Sequence, residues 1–156
     1  MLNDFFQFIL FCMVTVKDAV AAQGYSMIRQ KTFGSTPYEM WSLTSQTTRK
    51  QLFAVVVRSM NRDSLFRISD VVAFGRRFKV ASAVILRAGD DVEIVSPYEA
   101  LERVSARLRA QLRRQITRAE ETAHTTGEPL AAEIEKDLAL LEQEIADIKE
   151  EIRGAQ

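Results

Sequence analysis

Cysteine and histidine are almost absent from this chain of 156 residues, which contains one of each, Cys12 and His124. A single cysteine excludes an internal disulfide and any metal site built from several cysteines. Cys12 lies in an apolar run, where a free cysteine usually behaves as a small buried hydrophobic side chain. His124 follows a predicted helix, whose C-terminal end favours a protonated, capping imidazole over a catalytic one.

The motifs of common enzyme classes are missing as well. The sequence has no glycine-rich phosphate loop, no nucleophile elbow and no spaced pair of zinc ligands. Most carboxylates fall on the last predicted helix, which is typical of a solvated face. The carboxylate of Asp70 is an exception to this placement, because Asp70 falls on the otherwise apolar side of an alternating stretch. We therefore predict a protein that is not an enzyme and has no catalytic residues, no cofactor and no metal.

An excess of charge of one sign is also lacking, since 21 Lys and Arg residues balance 21 Asp and Glu residues. No long-range field then draws the chain toward DNA or an anionic membrane. Hydrophobic residues make up 47% and charged residues 27% of the sequence. These values are typical of globular proteins and exclude wholesale disorder. The length fits one domain with an appended helical arm.

The longest apolar run, residues 5–16, is short for a membrane span. As a helix it would reach roughly 18 Å, against a hydrocarbon core of roughly 30 Å. Lys17 and Asp18 then interrupt it. We predict a buried or interface helix over about residues 4–30, in a unit spanning 1–30. Membrane anchoring through residues 5–22 is the alternative, so the location is left open between cytoplasmic and membrane-associated.

The middle of the chain alternates with a period of two, which is typical of half-buried strands. Residues 31–50 are rich in turn-forming residues and are predicted to form a connector. We predict an antiparallel β-meander over residues 51–96, because the breaks between its runs are short. The first run is apolar on both faces, which predicts a strand that is central or lies under a helix, such as the N-terminal one. The four expected strands cover residues 51–59, 64–74, 77–87 and 91–96.

Two short stretches resemble a known family. Residues 66–71 with Phe78, and residues 89–97, are similar to the closing strands and tail of WYL-type regulator domains. The resemblance implies strands at the first of these places. The Trp-Tyr-Leu signature is absent and the spacing is compressed, so no functional residue is carried over.

Two helices of opposite charge are predicted for residues 97–156. The first begins at Ser96 and Pro97, a favourable N-cap and first helical residue. Between Arg103 and Arg118 it has six arginines and no acid. The second runs from about Pro129 to Arg153, and residues 133–153 contain eight acids and three bases.

Both helices have apolar residues at helical spacing, and the second alternates steps of four and three, as in a heptad seam. The pattern predicts a helical hairpin or an intermolecular coiled coil, and leaves pairing within or between chains open. The fold class is therefore α+β: an N-terminal apolar helix, a four-stranded antiparallel meander and a C-terminal helical hairpin or coiled coil.

The expected function is that of a structural subunit that oligomerises, or docks into a larger complex, through the C-terminal arm. The alternatives are a nucleic-acid-associated regulator that uses the arginine helix, and an accessory subunit of a membrane complex. Folding back of the acidic helix would neutralise the arginines and disfavour nucleic acid. The predicted partner-binding residues are Leu101, Arg103, Val104, Arg107, Leu108, Leu112, Arg114, Arg118, Ile134, Leu138, Leu141, Ile145, Ile148 and Ile152.

Overall fold

A mixed sheet of five strands forms the centre of the molecule. The structure is a computed structural model that describes residues 16–30, 39–89, 91–122 and 127–155. The strands lie side by side in chain order. β3 and β4 are parallel, and the other neighbouring pairs are antiparallel. They are β1 (Tyr25–Gln30), β2 (Met40–Ser45), β3 (Gln51–Val57), β4 (Ala81–Ala88) and β5 (Asp91–Val95).

Helices cover both faces of this sheet. Residues 16–22 are helical (α1), and Val16 and Val20 are buried against one face together with Trp41 and Leu43. The three longer helices are α2 (Arg62–Phe78), α3 (Pro97–Glu121) and α4 (Gly127–Ala155). The other face of the sheet packs against two of them, α2 and α3, through side chains such as Val55, and the third, α4, packs across those two helices. The α+β class is confirmed, with helices on both faces of a mixed sheet.

The strand predicted over residues 64–74 is wrong, because this stretch lies in α2. Asn61 caps the helix through a hydrogen bond from the Ser64 amide, and the reciprocal bond completes a capping box. Leu65, Ile68 and Val72 lie on its buried side, at helical spacing. The alternation was misleading because Phe66 is 53% exposed. The strand that the WYL resemblance implied at this place is wrong for the same reason.

Helix α2 also changes the topology. Two successive strands joined by a helix can lie parallel in the same sheet, whereas two strands joined by a tight turn are antiparallel. β3 and β4 are accordingly parallel neighbours, with Val55 opposite Val84. The all-antiparallel meander is therefore wrong. β3 is nevertheless the central strand, third of five, as its two apolar faces predicted.

The N-terminal part contains more strand than predicted. The long helix expected over residues 4–30 is wrong beyond residue 22, since Gly24 adopts a φ of +89° and β1 begins at Tyr25. The connector predicted for 31–50 is wrong at Met40–Ser45, which form β2. Residues 1–15 and 31–38 lie outside the described residues, as does most of the segment predicted to anchor in a membrane. No helix in the described part of the chain is long and apolar enough to cross a membrane.

The two C-terminal helices lie where the sequence places them and run antiparallel. Glu102 pairs with Lys149 at 3.2 Å, and Arg109 pairs with Glu142, so residue numbers rise on one helix as they fall on the other. The prediction of a coiled coil is not confirmed. Leu101, Leu141 and their neighbours belong to the same buried cluster as the sheet and α2. The hairpin is thus partly built into the domain core.

Candidate interaction surfaces of the helical hairpin

Most of the apolar residues predicted to bind a partner are buried within the chain itself. Leu112 and Leu138 are partly buried against the same core, and Ile134 is half-buried. The fully buried members of the predicted set pack in the same buried cluster as residues of the sheet and of α2. They are Leu101, Val104, Leu108, Leu141, Ile145, Ile148 and Ile152.

Helix α2 covers one flank of α4, a contact that the sequence did not reveal. The guanidinium of Arg62 donates to the Asp137 carboxylate at 2.7 Å and lies 3.8 Å from Glu144. Further along, the Ser69 hydroxyl donates to the Glu151 carboxylate at 2.7 Å. Part of the acidic charge of α4 is therefore matched by α2 and not by the arginines of α3.

The α3–α4 interface uses a different arginine from those predicted. Arg109 donates through Nε and Nη2 to both carboxylate oxygens of Glu142. These hydrogen bonds, more than the charge itself, lower the pKa of Glu142 and raise that of Arg109. The fork geometry fixes the register of the hairpin. In the sequence, Arg109 is one of six arginines on this helix. Nothing distinguished it from the others, because the rotation of α3 about its axis was unknown.

Three other arginines lie on the opposite side of α3. Arg107, Arg114 and Arg118 are exposed, and no acidic partner of theirs occurs among the described residues. At about 100° per residue they lie within about 40° of one another around the helix axis. Arg109, which faces α4, lies about 160° from Arg107. We call Arg107, Arg114 and Arg118 the basic flank; the acidic helix leaves it uncovered, contrary to the sequence-based expectation.

Arg103 ends this flank toward the sheet. It donates to Glu93 on β5 and, at 2.7 Å, to Glu99 one turn earlier on α3. The hydrogen bond from Arg103, followed by its charge, lowers the pKa of Glu93. Arg103 was predicted to contact a partner, but here it joins α3 to the edge strand.

The far end of the hairpin extends beyond the core. We define the distal arm as residues 113–121 of α3 and 127–136 of α4, beyond the contact of Arg62 with Asp137. The described residues of this arm that are buried, Ala119 and Ala131, belong to neither core cluster. Leu130 is 53% exposed on the arm, whereas Leu140 is 60% exposed on the part of α4 that lies over the body. Within the described residues, the arm is thus a two-helix layer that begins where the contact of α2 with α4 ends.

A cleft of about 590 Å³ lies at the other end of α3. Arg76, Lys79 and Ser96 line it, together with Gly154 near the end of α4. The guanidinium of Arg76 lies against Gly154. Basic side chains at the carboxyl ends of helices are favoured by the helix dipole and by unpaired carbonyls. This arrangement explains the two cations as stabilising the ends of α2 and α4.

The described residues offer no metal site, since no group of three or more candidate ligand side chains lies together among them. Asp70 is a half-buried residue of α2, not of a strand. Cys12 and His124 lie outside the described residues. No protein-family model, curated protein or solved structure matches the chain.

Proposed function

We propose that this protein is a non-enzymatic assembly subunit, and that its distal arm binds the distal arm of a second copy. The exposure of Leu130 carries the proposal, since more than half of this leucine is open to solvent on an arm that nothing else in the described chain covers. Apolar side chains on the inward side of a helical hairpin are ordinarily covered by a further helix layer.

A four-helix bundle is the arrangement that completes such an arm. Two antiparallel helices bury only the line along which they touch, here marked by Ala119 and Ala131. Ile116 and Ile134 are half-buried beside that line. A second hairpin packed across the first would cover these side chains and Leu130 at once.

The zero net charge of the chain supports a second copy of the same chain as the partner that packs on the distal arm. The protein has equal numbers of acidic and basic residues, so two copies approach without net repulsion. A two-fold axis would present the same arm on both sides of the contact, which is the commonest symmetry of soluble oligomers.

Substitution of Leu130 by aspartate tests the proposal. Burying a leucine fully contributes roughly 1.5–3 kcal/mol, so covering the exposed half of Leu130 contributes about 1 kcal/mol per copy. Two copies then give about 2 kcal/mol, or about a thirty-fold weaker dimer. Sedimentation equilibrium over a concentration series measures this change.

Leu140→Asp is the matched control, because it makes the same substitution on the same helix at similar exposure but off the arm. We expect it to leave the dimer unchanged. A wild-type protein that stays monomeric at high micromolar concentration contradicts the proposal, as does a dimer that Leu140→Asp disrupts and Leu130→Asp does not. Leu141 and Ile145 are unsuitable probes, since both are buried and a charge there would unfold the body.

A further inference from the structure

The basic flank presents positive charge that no acidic side chain among the described residues pairs with. Arg107 and Arg118 make no described side-chain contact with an acid, and Arg114 donates only to the carbonyl of Ala110 one turn earlier, at 3.4 Å. We propose that this flank binds the phosphate backbone of double-stranded DNA, independently of base sequence.

The spacing along α3 suits a line of phosphates. At about 1.5 Å per residue, Arg114 lies about 10 Å from Arg107 and about 6 Å from Arg118 along the axis. Each strand of duplex DNA carries one phosphate about every 3.4 Å of the duplex axis, so several lie within reach of this line. The planar guanidinium fork donates two hydrogen bonds to one phosphate, which a lysine does not.

The surroundings of the flank favour nucleic acid over a protein partner. Gln111 and Gln115 are exposed beside the arginines, and amide side chains are regular partners of phosphate and sugar oxygens. Protein interfaces need apolar or aromatic anchors at their centre, and the flank itself has none. Single-stranded nucleic acid is disfavoured by the same lack of aromatic side chains, on which unpaired bases stack.

We expect three phosphate contacts, one from each arginine of the basic flank. Two neighbouring residues, Arg103 and Glu121, bear on this number. Arg103 is engaged by Glu93 and Glu99 and is not counted. Glu121 is exposed near the end of the flank and would repel a phosphate there. Removing its charge by Glu121→Gln should therefore strengthen binding without changing the number of arginine contacts.

Fluorescence anisotropy with a labelled random-sequence DNA duplex, titrated at several salt concentrations, tests the proposal on the full chain. Three contacts predict that the logarithm of the association constant falls with the logarithm of salt concentration with a slope of about −2.7 per bound chain. Arg114→Gln should reduce the steepness by about 0.9, and the triple change Arg107→Gln, Arg114→Gln and Arg118→Gln should abolish salt-dependent binding.

Arg113→Gln is the matched control, since Arg113 is an exposed arginine on the same helix that faces Glu142 instead. It should leave the slope unchanged, and circular dichroism checks that each variant is folded. The proposal is overturned if the triple variant binds the duplex as the wild type does, or if Arg113→Gln weakens binding as much as Arg114→Gln. Equal competition by a polyglutamate peptide would assign the flank to an acidic protein segment and overturn it as well.

Discussion

Replacing Gly75 by alanine should destabilise the protein, although alanine is the better helix former. Gly75 lies near the end of α2, where the helix crosses the start of β4. A Cβ atom there would lie 2.5 Å from the carbonyl oxygen of Val80 and closer still to the hydroxyl of Ser82. Neither neighbour moves freely, because Val80 donates its amide to Gly75 at 2.9 Å and Ser82 donates to the Val71 carbonyl at 2.8 Å.

The expected change in the free energy of unfolding is the sum of two costs and one gain. Overpacking of this kind costs roughly 1–3 kcal/mol, and displacing the Ser82 hydroxyl from its carbonyl removes a hydrogen bond that contributes about 1 kcal/mol. The better helix propensity of alanine returns about 1 kcal/mol. We expect a net loss of about 2 kcal/mol in the free energy of unfolding, or a fall of about 4–8 °C in Tm for a chain of this size.

Urea denaturation followed by circular dichroism measures the effect, with Gly154→Ala as the control. The second glycine is also helical, but its new methyl group would meet only the guanidinium of Arg76, at 3.1 Å. That side chain is flexible, so Gly154→Ala should be neutral or stabilise by up to about 1 kcal/mol. Adding Ser82→Ala to Gly75→Ala should recover part of the loss. If Gly75→Ala is as stable as the wild type, the close crossing of α2 and β4 is wrong.

Two further predictions concern the ends and the interface of the helices. Lys79 caps α2 with a φ of 56°, in the left-handed region that costs a residue with a side chain about 1–2 kcal/mol and glycine very little. Loss of the lysine charge at the helix end costs about 0.3–1 kcal/mol, so Lys79→Gly should give a net stabilisation of up to about 1 kcal/mol in the same urea assay; a lower midpoint would contradict this. Glu142→Gln should lower stability at pH 7 by at most about 0.5–1 kcal/mol, since the pair with Arg109 is partly exposed to solvent. Because folding lowers the pKa of Glu142, this difference is present above its unfolded pKa of about 4.3 and is lost as pH falls through the lowered value. Denaturation midpoints followed from pH 7 into the acid range measure it, and a difference that does not shrink as pH falls below about 4.3 would exclude this ionic origin.

Local signals were enough to locate the C-terminal helices. Ser96 accepts a hydrogen bond from the Glu99 amide at 3.1 Å, the cap that the sequence predicted. β5 was also found, and β4 in part: the strand predicted over residues 77–87 overlaps Ala81–Ala88, but its first residues belong to α2. These features depend on residues within one or two turns of each other, so they need no knowledge of the fold.

Helix α2 was missed because two periodicities overlap in residues 64–74. Phe66, Ile68 and Val72 satisfy an alternating pattern, while Leu65, Ile68 and Val72 satisfy a helical one. Only burial separates the two, and burial depends on what packs against the segment. Phe66 is largely exposed and Leu65 is 1% exposed, the reverse of what the alternation implied.

The candidate surfaces depend on the same kind of information. The sequence showed that α3 is rich in arginine and α4 in acid, but their mutual rotation was unknown. Burial of Val104 and Leu108 in the core fixes the rotation of α3, which turns Arg109 toward Glu142 and leaves Arg107 and its partners exposed. Opposite charge on neighbouring helices therefore did not imply that the charges meet.

By itself, the sequence determined the two long helices, their apolar sides, the central position of β3 and the balance of charge. Each follows from residue spacing or composition along a short stretch of chain. The tertiary structure decided that most of the apolar positions of the hairpin are filled within the chain, and that the arginines divide into paired and exposed sets. The reason is physical: a side chain's role depends on what lies opposite it, and here α2, which was not recognised as a helix, occupies the side of α4 that a partner was expected to fill.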